Sequence, residues 1–154
     1  IKEGREQVRK RIGRYPNHLG LAAQSFSALS EHPKIKEQFK YTSSESITKE
    51  MLAKYFQVEE ISIGSAVFLP ENAPDDVDAE DVWGNDAILS YKAKGSNFQV
   101  PSFGYTYRLK GYPMVMKPYS DDTCDSWVYK MKEEWSPVLS CTDAAFLFQG
   151  TTAP

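Results

Sequence analysis

"RYPNHLGLAAQSFSALSEHPKIKEQFK", residues 14–40, changes its local preference several times within one stretch. Tyr15-Pro16-Asn17 is turn chemistry, because proline presets φ and asparagine tolerates turn conformations. "HLGLAA" then reads as a short buried strand. Phe26 and Leu29 mark one helical turn, which His32-Pro33 ends, since the residue before proline is pushed out of the helical region. Pro33 in turn suits the first position of a new helix, with Ile35 and Phe39 stacked one turn apart. A buried strand running at once into two short helices sets the pattern for the rest of the chain.

Upstream, Ile1, Val8 and Ile12 fall at helical spacing with charge on the other faces, and Gly13 is a natural stop. Ile1 is not a methionine and the helix is already under way, so a piece of a longer chain is expected. Downstream, Thr48 is a plausible N-cap for "KEMLAKYF", whose Met51, Leu52, Tyr55 and Phe56 form an apolar stripe. The period then changes: "EISIGSAVFL" alternates at Ile61 and Ile63 as a strand does. Residues 70–82 form a long acidic loop, followed by the buried-looking strand "AILSY". Beyond residue 104 the reading is β-rich. Tyr105, Tyr107 and Leu109 alternate with Thr106, Arg108 and Lys110 as in a half-buried strand. Trp127, Tyr129, Met131 and Trp135 share one face, Pro137 ends or bends that run, and "AAFLF" is a final apolar strand. Helices and strands mixed first and antiparallel strands afterwards give an α+β fold, not a doubly wound parallel sheet.

The chain's 154 residues suit one domain, or two lobes sharing a core, and no run approaches the roughly 20 apolar residues that cross a bilayer. The formal net charge of −3 hides an uneven layout. Arg5, Arg9, Lys10, Arg11 and Arg14 make the first segment basic, read as a solvated helix face. From Gln57 to Tyr91 there is no Lys or Arg, and "ENAPDDVDAEDV" is strongly acidic. That segment is expected to be exposed, mobile and free of bound metal.

The sequence carries no reactive constellation. His18 and His32 are the only histidines, and neither has neighbours that would make a metal site. No G-x-S-x-G elbow supports a serine nucleophile, and the glycines form neither G-x-G-x-x-G nor a P-loop. Asp75, Asp76, Asp78, Glu80 and Asp81 lack the glycine and spacing of an EF-hand. Aromatics such as Phe103, Tyr105 and Tyr107 have too few basic neighbours for a base-stacking platform. Cys124 and Cys141 are too few for a disulfide framework and are read as small buried groups. No catalytic residue, no metal ligand and no cofactor is therefore expected.

Four ordered blocks carry a resemblance: "GRYPNHLGLAAQSFSALSEHPKIKEQFKY", "ITKEMLAKYFQVEEISIGSAVF", "DVWGNDAILSY" and "PSFGYTYRL". Together they resemble the C-terminal half of a tailed-phage major capsid protein, of the branch often found in prophages, with the Hong Kong 97-like fold. The resemblance implies an axial domain over residues 18–100 and parts of a peripheral domain over 1–17 and 101–154. It also implies that an N-terminal arm, an extended loop and a spine helix lie outside this stretch. Aromatics that the spine helix would cover, around Tyr105, Tyr107, Trp127 and Tyr129, are then expected to be partly exposed.

The function implied is that of a structural, non-enzymatic subunit of an icosahedral shell. Its partners would be copies of itself, with scaffold and portal proteins as further candidates. The shell would enclose phage DNA without specific binding, and no membrane is involved. The place implied is the virion, after synthesis in the bacterial host cytoplasm. The competing reading from the residues alone is an α+β ligand-binding or enzyme domain that uses the acidic 70–82 loop as a lid.

Overall fold

The computed structural model describes residues 1–40, 47–71, 74, 77–95 and 99–151. The chain divides into two compact units, one of residues 1–103 with 141–154 and one of residues 104–140. The contact units thus divide at 103/104 and 140/141, whereas the resemblance divides the chain at 17/18 and 100/101.

The first unit is built on helix α1 (Lys2–Ile12), strand β1 (His18–Ala22), helices α2 (Ala23–Glu31), α3 (Pro33–Phe39) and α4 (Lys49–Phe56), and strand β2 (Glu60–Gly64). Strands β3 (Val67–Phe68), β4 (Glu80–Asp81) and β5 (Ala87–Ser90) follow. The punctuation read from the sequence is where the elements change. Gly13 caps α1 at φ 71° with its N–H on the Arg9 carbonyl. His32 closes α2 in an extended conformation and opens α3, its ring accepting from the Lys34 N–H ahead of Pro33. The Thr48 hydroxyl accepts from the Met51 N–H at the start of α4.

β1 lies inside a four-stranded sheet whose order, with β12 (Ala145–Phe148) at one edge, is β12-β5-β1-β2. β1 and β2 are parallel, so the connection between them carries α2, α3 and α4 as a crossover. The β1–β5 and β5–β12 pairs are antiparallel. The architecture is α+β, as the element order predicts. One placement differs from the sequence reading. "AAFLF" belongs not to the later antiparallel strands but to the first sheet, where β12 covers the β5 edge.

Register explains the core. Residues directly opposite point to the same side of a sheet. Leu19 faces Ile61 and Leu89, Leu21 faces Ile63 and Ala87, and Phe146 and Phe148 extend that face across β12. Leu52, Ala53 and Ile35 from the helices close over the same cluster. α1 comes down beside it through Gly4, where a Cβ would stand 2.8 Å from the Phe148 ring. The opposite face carries His18, Gly20, Ser62, Gly64 and Ser90. Trp83 lies over its glycines, and a Cβ at Gly64 would approach that ring to 2.8 Å.

The second unit is one folded-back ribbon. β6 (Gly104–Arg108) pairs with β11 (Trp135–Leu139), β7 (Met114–Val115) with β10 (Met131–Lys132), and β8 (Tyr119–Asp121) with β9 (Ser126–Val128). The pairs are antiparallel and nested, outermost to innermost. Pro137 does not end its strand: it sits within β11 opposite Thr106, and the run read from Trp127 to Trp135 is divided over β9, β10 and β11. A two-stranded ribbon leaves every strand an edge, and edges are where a strand proline is tolerated.

Candidate association surface

The residues with most chemical potential in the first unit are its histidines, and both are absorbed by the fold. His32 is a helix junction, its Nδ1 accepting from the Lys34 N–H at 3.2 Å. His18 sits on β1 between two hydroxyls, 2.9 Å from Ser62 Oγ through Nε2 and 3.3 Å from Ser90 Oγ through Nδ1. It therefore ties together β5, β1 and the edge strand β2. No carboxylate lies on either ring nitrogen to orient a general base, unlike a serine nucleophile site.

Burial, above all, holds the His18 imidazole below the ordinary histidine pKa, with the Glu60 charge opposing and the Lys92 charge adding to the shift. An unfolded histidine titrates near pH 6.5. As pH falls through about 6.5 the unfolded chain takes up this proton first, so stability declines until the lower folded pKa is passed. Above about 6.5 both states are neutral at this site and it adds no slope. Urea midpoints measured from pH 7 to pH 5 should therefore fall less steeply in His18→Gln than in the parent; equal slopes would show that His18 is not held neutral.

Beside His18, Asn17 accepts from the Lys92 N–H and donates to the Lys92 carbonyl, at 2.8 and 2.9 Å. Lys92 pairs with Glu60 at 3.2 Å and Lys94 with Glu59 at 2.8 Å. The Lys92 ammonium, by hydrogen bond first, holds the Glu60 carboxyl below its usual range. These groups satisfy one another. Among the described residues no group of three or more His, Cys, Asp or Glu side chains converges as a metal site would. Cys124 is exposed, contrary to its reading as a buried group, because it lies in the tight β8–β9 turn; Cys141 is partly buried, and both are free thiols.

The acidic segment is also more structured than its composition implies. Phe68 pairs with Glu80 and Val67 with Asp81, so β3 and β4 form a short arm that closes the loop at its base. Glu71, Pro74 and residues 77–80 are exposed; Asp75 and Asp76 lie outside the described residues. The placement of the described residues lends the lid reading no support. The arm is held at the first turn of α2, where Gln24 donates to Asp81 at 3.3 Å. A groove lies at the other end of that helix, beside Leu29 and His32.

The surface that stands out is the ribbon of residues 104–140. The sequence predicts a half-buried strand at Tyr105 and Tyr107, yet every residue of β11 is exposed and Tyr107 is half exposed. Trp127 is 67% exposed, Tyr129 77%, Met131 62% and Trp135 58%. Val115, opposite Met131, is 77% exposed. An isolated two-stranded ribbon is marginal in water, and large exposed apolar side chains of this kind make the ribbon a candidate association surface. Aromatic and methionine side chains are what association surfaces favour. The Arg108–Glu133 pair at 2.8 Å fixes one polar position beside them.

No helix among the described residues is long and apolar enough to cross a membrane. No family profile matches the chain. It is 32% identical over 156 aligned residues to the major capsid protein of the Burkholderia phage BcepMu, covering 97% of this chain and 48% of that protein. Among solved structures it is similar to a phage-related protein from Bordetella bronchiseptica RB50, with a TM-score of 0.88 and 38% identity. That match covers 97% of this chain and 49% of the other. The chain spans about half the length of the relatives it matches. Over nearly its whole length, in sequence, it is similar to half of a phage major capsid protein.

Proposed function

We propose that the chain is a structural subunit of a phage or prophage icosahedral capsid, of Hong Kong 97-like fold. The observation that carries this is the end-to-end likeness to half of the BcepMu major capsid protein. The physical features agree with it. The ribbon offers apolar surface for association, and the histidines, ion pairs and serines around the sheet serve its own hydrogen bonding. A shell subunit needs complementary surfaces and rigid elements, not a reactive constellation. The role is accordingly non-enzymatic, its partners are copies of itself, and its place is the virion. Scaffold and portal proteins would meet it during assembly in the host cytoplasm, and DNA would be enclosed without specific contacts. Within the shell, residues 18–100 are assigned to the axial region and residues 1–17 and 101–154 to the peripheral one. No observation favours the ligand-binding or enzyme reading.

Shell contacts act through many weak interfaces together, so losing part of them removes most of the avidity. Residues 1–154 correspond to about half of each relative. Purified alone they should scatter light as monomers or small oligomers. Closed particles of capsid size from these residues would contradict that expectation.

A further inference from the structure

Beside its ion pairs, the first unit carries charged side chains that pair with nothing among the described residues. The groove between α1, the α2–α3 junction and the end of α4 encloses about 880 Å³. Lys2, Arg5 and Lys34 line it together with the apolar Leu29, Ile35 and Phe56. Its one carboxylate, Glu6, is already engaged by Arg9 at 2.7 Å and the Tyr15 hydroxyl at 3.0 Å. Arg5 is held in place by Gln57 at 2.6 Å and by the Tyr15 ring, 5.1 Å from its guanidinium carbon. Its Nε is buried with no hydrogen-bond partner among the described residues. Neither Lys2 nor Lys34 forms an ion pair among the described residues.

The β3–β4 arm is the converse. Glu71, Asp78 and Glu80 are exposed on it, and none forms an ion pair among the described residues. Val77 beside them is 45% exposed. The nearest cations in sequence are Lys54 and Lys92. The arm is tethered at the first turn of α2 and the groove begins at its last turn. That helix has nine residues, a separation of about 13 Å. Within one copy the arm's tether and the groove thus lie at opposite ends of α2.

We propose that the acidic β3–β4 arm of one copy docks into the basic α1–α3–α4 groove of the next, head to tail. The inference rests on the capsid reading for the presence of many copies. Complementary unpaired charge on two different surfaces of one unit gives a heterologous contact, which closes into a ring or runs on, according to the rotation between copies. The apolar floor of the groove receives Val77, and the lysines at its rim face the arm's carboxylates.

Reciprocal charge reversal in the protein made from its own gene tests this. Lys2→Glu with Lys34→Glu, and separately Asp78→Lys with Glu80→Lys, should each lower the yield of assembled particles about tenfold or more. All four substitutions together should restore it to within about threefold. Thermal unfolding of every variant checks that the fold is kept, since all four positions are exposed. Unchanged assembly in the single-sided variants overturns the proposal. So does failure of the combined variant to recover, the outcome expected if the groove instead takes phosphates of the enclosed DNA. Particle formation by the parent protein reports separately on the capsid reading: parent particles with no rescue sink the docking contact alone, and no parent particles sink the capsid reading on which it rests.

Discussion

Replacing Trp127, Tyr129 and Trp135 together with serine should abolish assembly while leaving the fold of the first unit intact. All three side chains are more than half exposed on the ribbon, so they contribute little to the stability of the isolated subunit. Substitutions at such positions usually move stability by no more than about 0.5 kcal/mol. In an interface the same residues are the type that dominates binding, with buried aromatics costing about 2 kcal/mol or more each when truncated. Three such losses amount to roughly a 10⁴-fold weakening per contact, and a shell multiplies that over every subunit. Sedimentation of the variant should show only slow species, with a thermal midpoint for the first unit within a few degrees of the parent. Normal particles from this variant would show that the ribbon is not an association surface. A collapse of the midpoint would show that its aromatics are part of the fold.

Leu19→Ala should have the largest effect on folding. Leu19 is fully buried at the centre of the sheet, with Ile61 on one neighbouring strand and Leu89 on the other. Truncation removes transfer free energy and leaves a cavity that two backbone ladders prevent from collapsing. Buried leucines of this kind cost about 2–5 kcal/mol, a large part of the 5–15 kcal/mol that holds a typical domain. Leu147→Ala is the matched control, because Leu147 lies on the other face of the sheet and is half exposed. Its cost should stay near or below about 1 kcal/mol. Urea unfolding of the two variants decides the matter: equal losses would mean that the helix-covered face is not the core.

Much of the fold is legible locally. Gly13, His32-Pro33 and Thr48 mark the helix ends because capping depends on the residue itself and two or three neighbours. "HLGLAA" is legible as a strand because Leu19 and Leu21 are separated only by a glycine. What stays hidden is partnership. Nothing in "AAFLF" says that it pairs with β5, since that pairing spans more than fifty residues of sequence and is set by which sheet edge is open. Gly4 looks like a weak point in α1, and only the Phe146 and Phe148 rings show why a side chain is unwelcome there. The ribbon misleads in the other direction. Its alternation of aromatic and polar residues is the pattern of a half-buried strand, and the subunit by itself leaves it largely exposed. If the capsid reading holds, a pattern written for burial in an assembly looks, in one chain, like a pattern written for a core.

The histidines follow the same logic. His18 and His32 are the first residues to weigh as catalysts, and their partners, two strand hydroxyls and a helix N-terminal amide, become visible only in three dimensions. The likeness to phage capsid proteins is legible because four blocks keep their order, which individual residues do not reveal.

The most direct test of the structural-subunit reading is electron cryomicroscopy of the protein made from its own gene. The reading predicts closed shells in which the β12-β5-β1-β2 sheet fits the subunit density and the ribbon of residues 104–140 lies against a neighbouring copy. A protein that remains a small soluble species under assembly conditions, or shells in which the ribbon projects free into solvent, would contradict it.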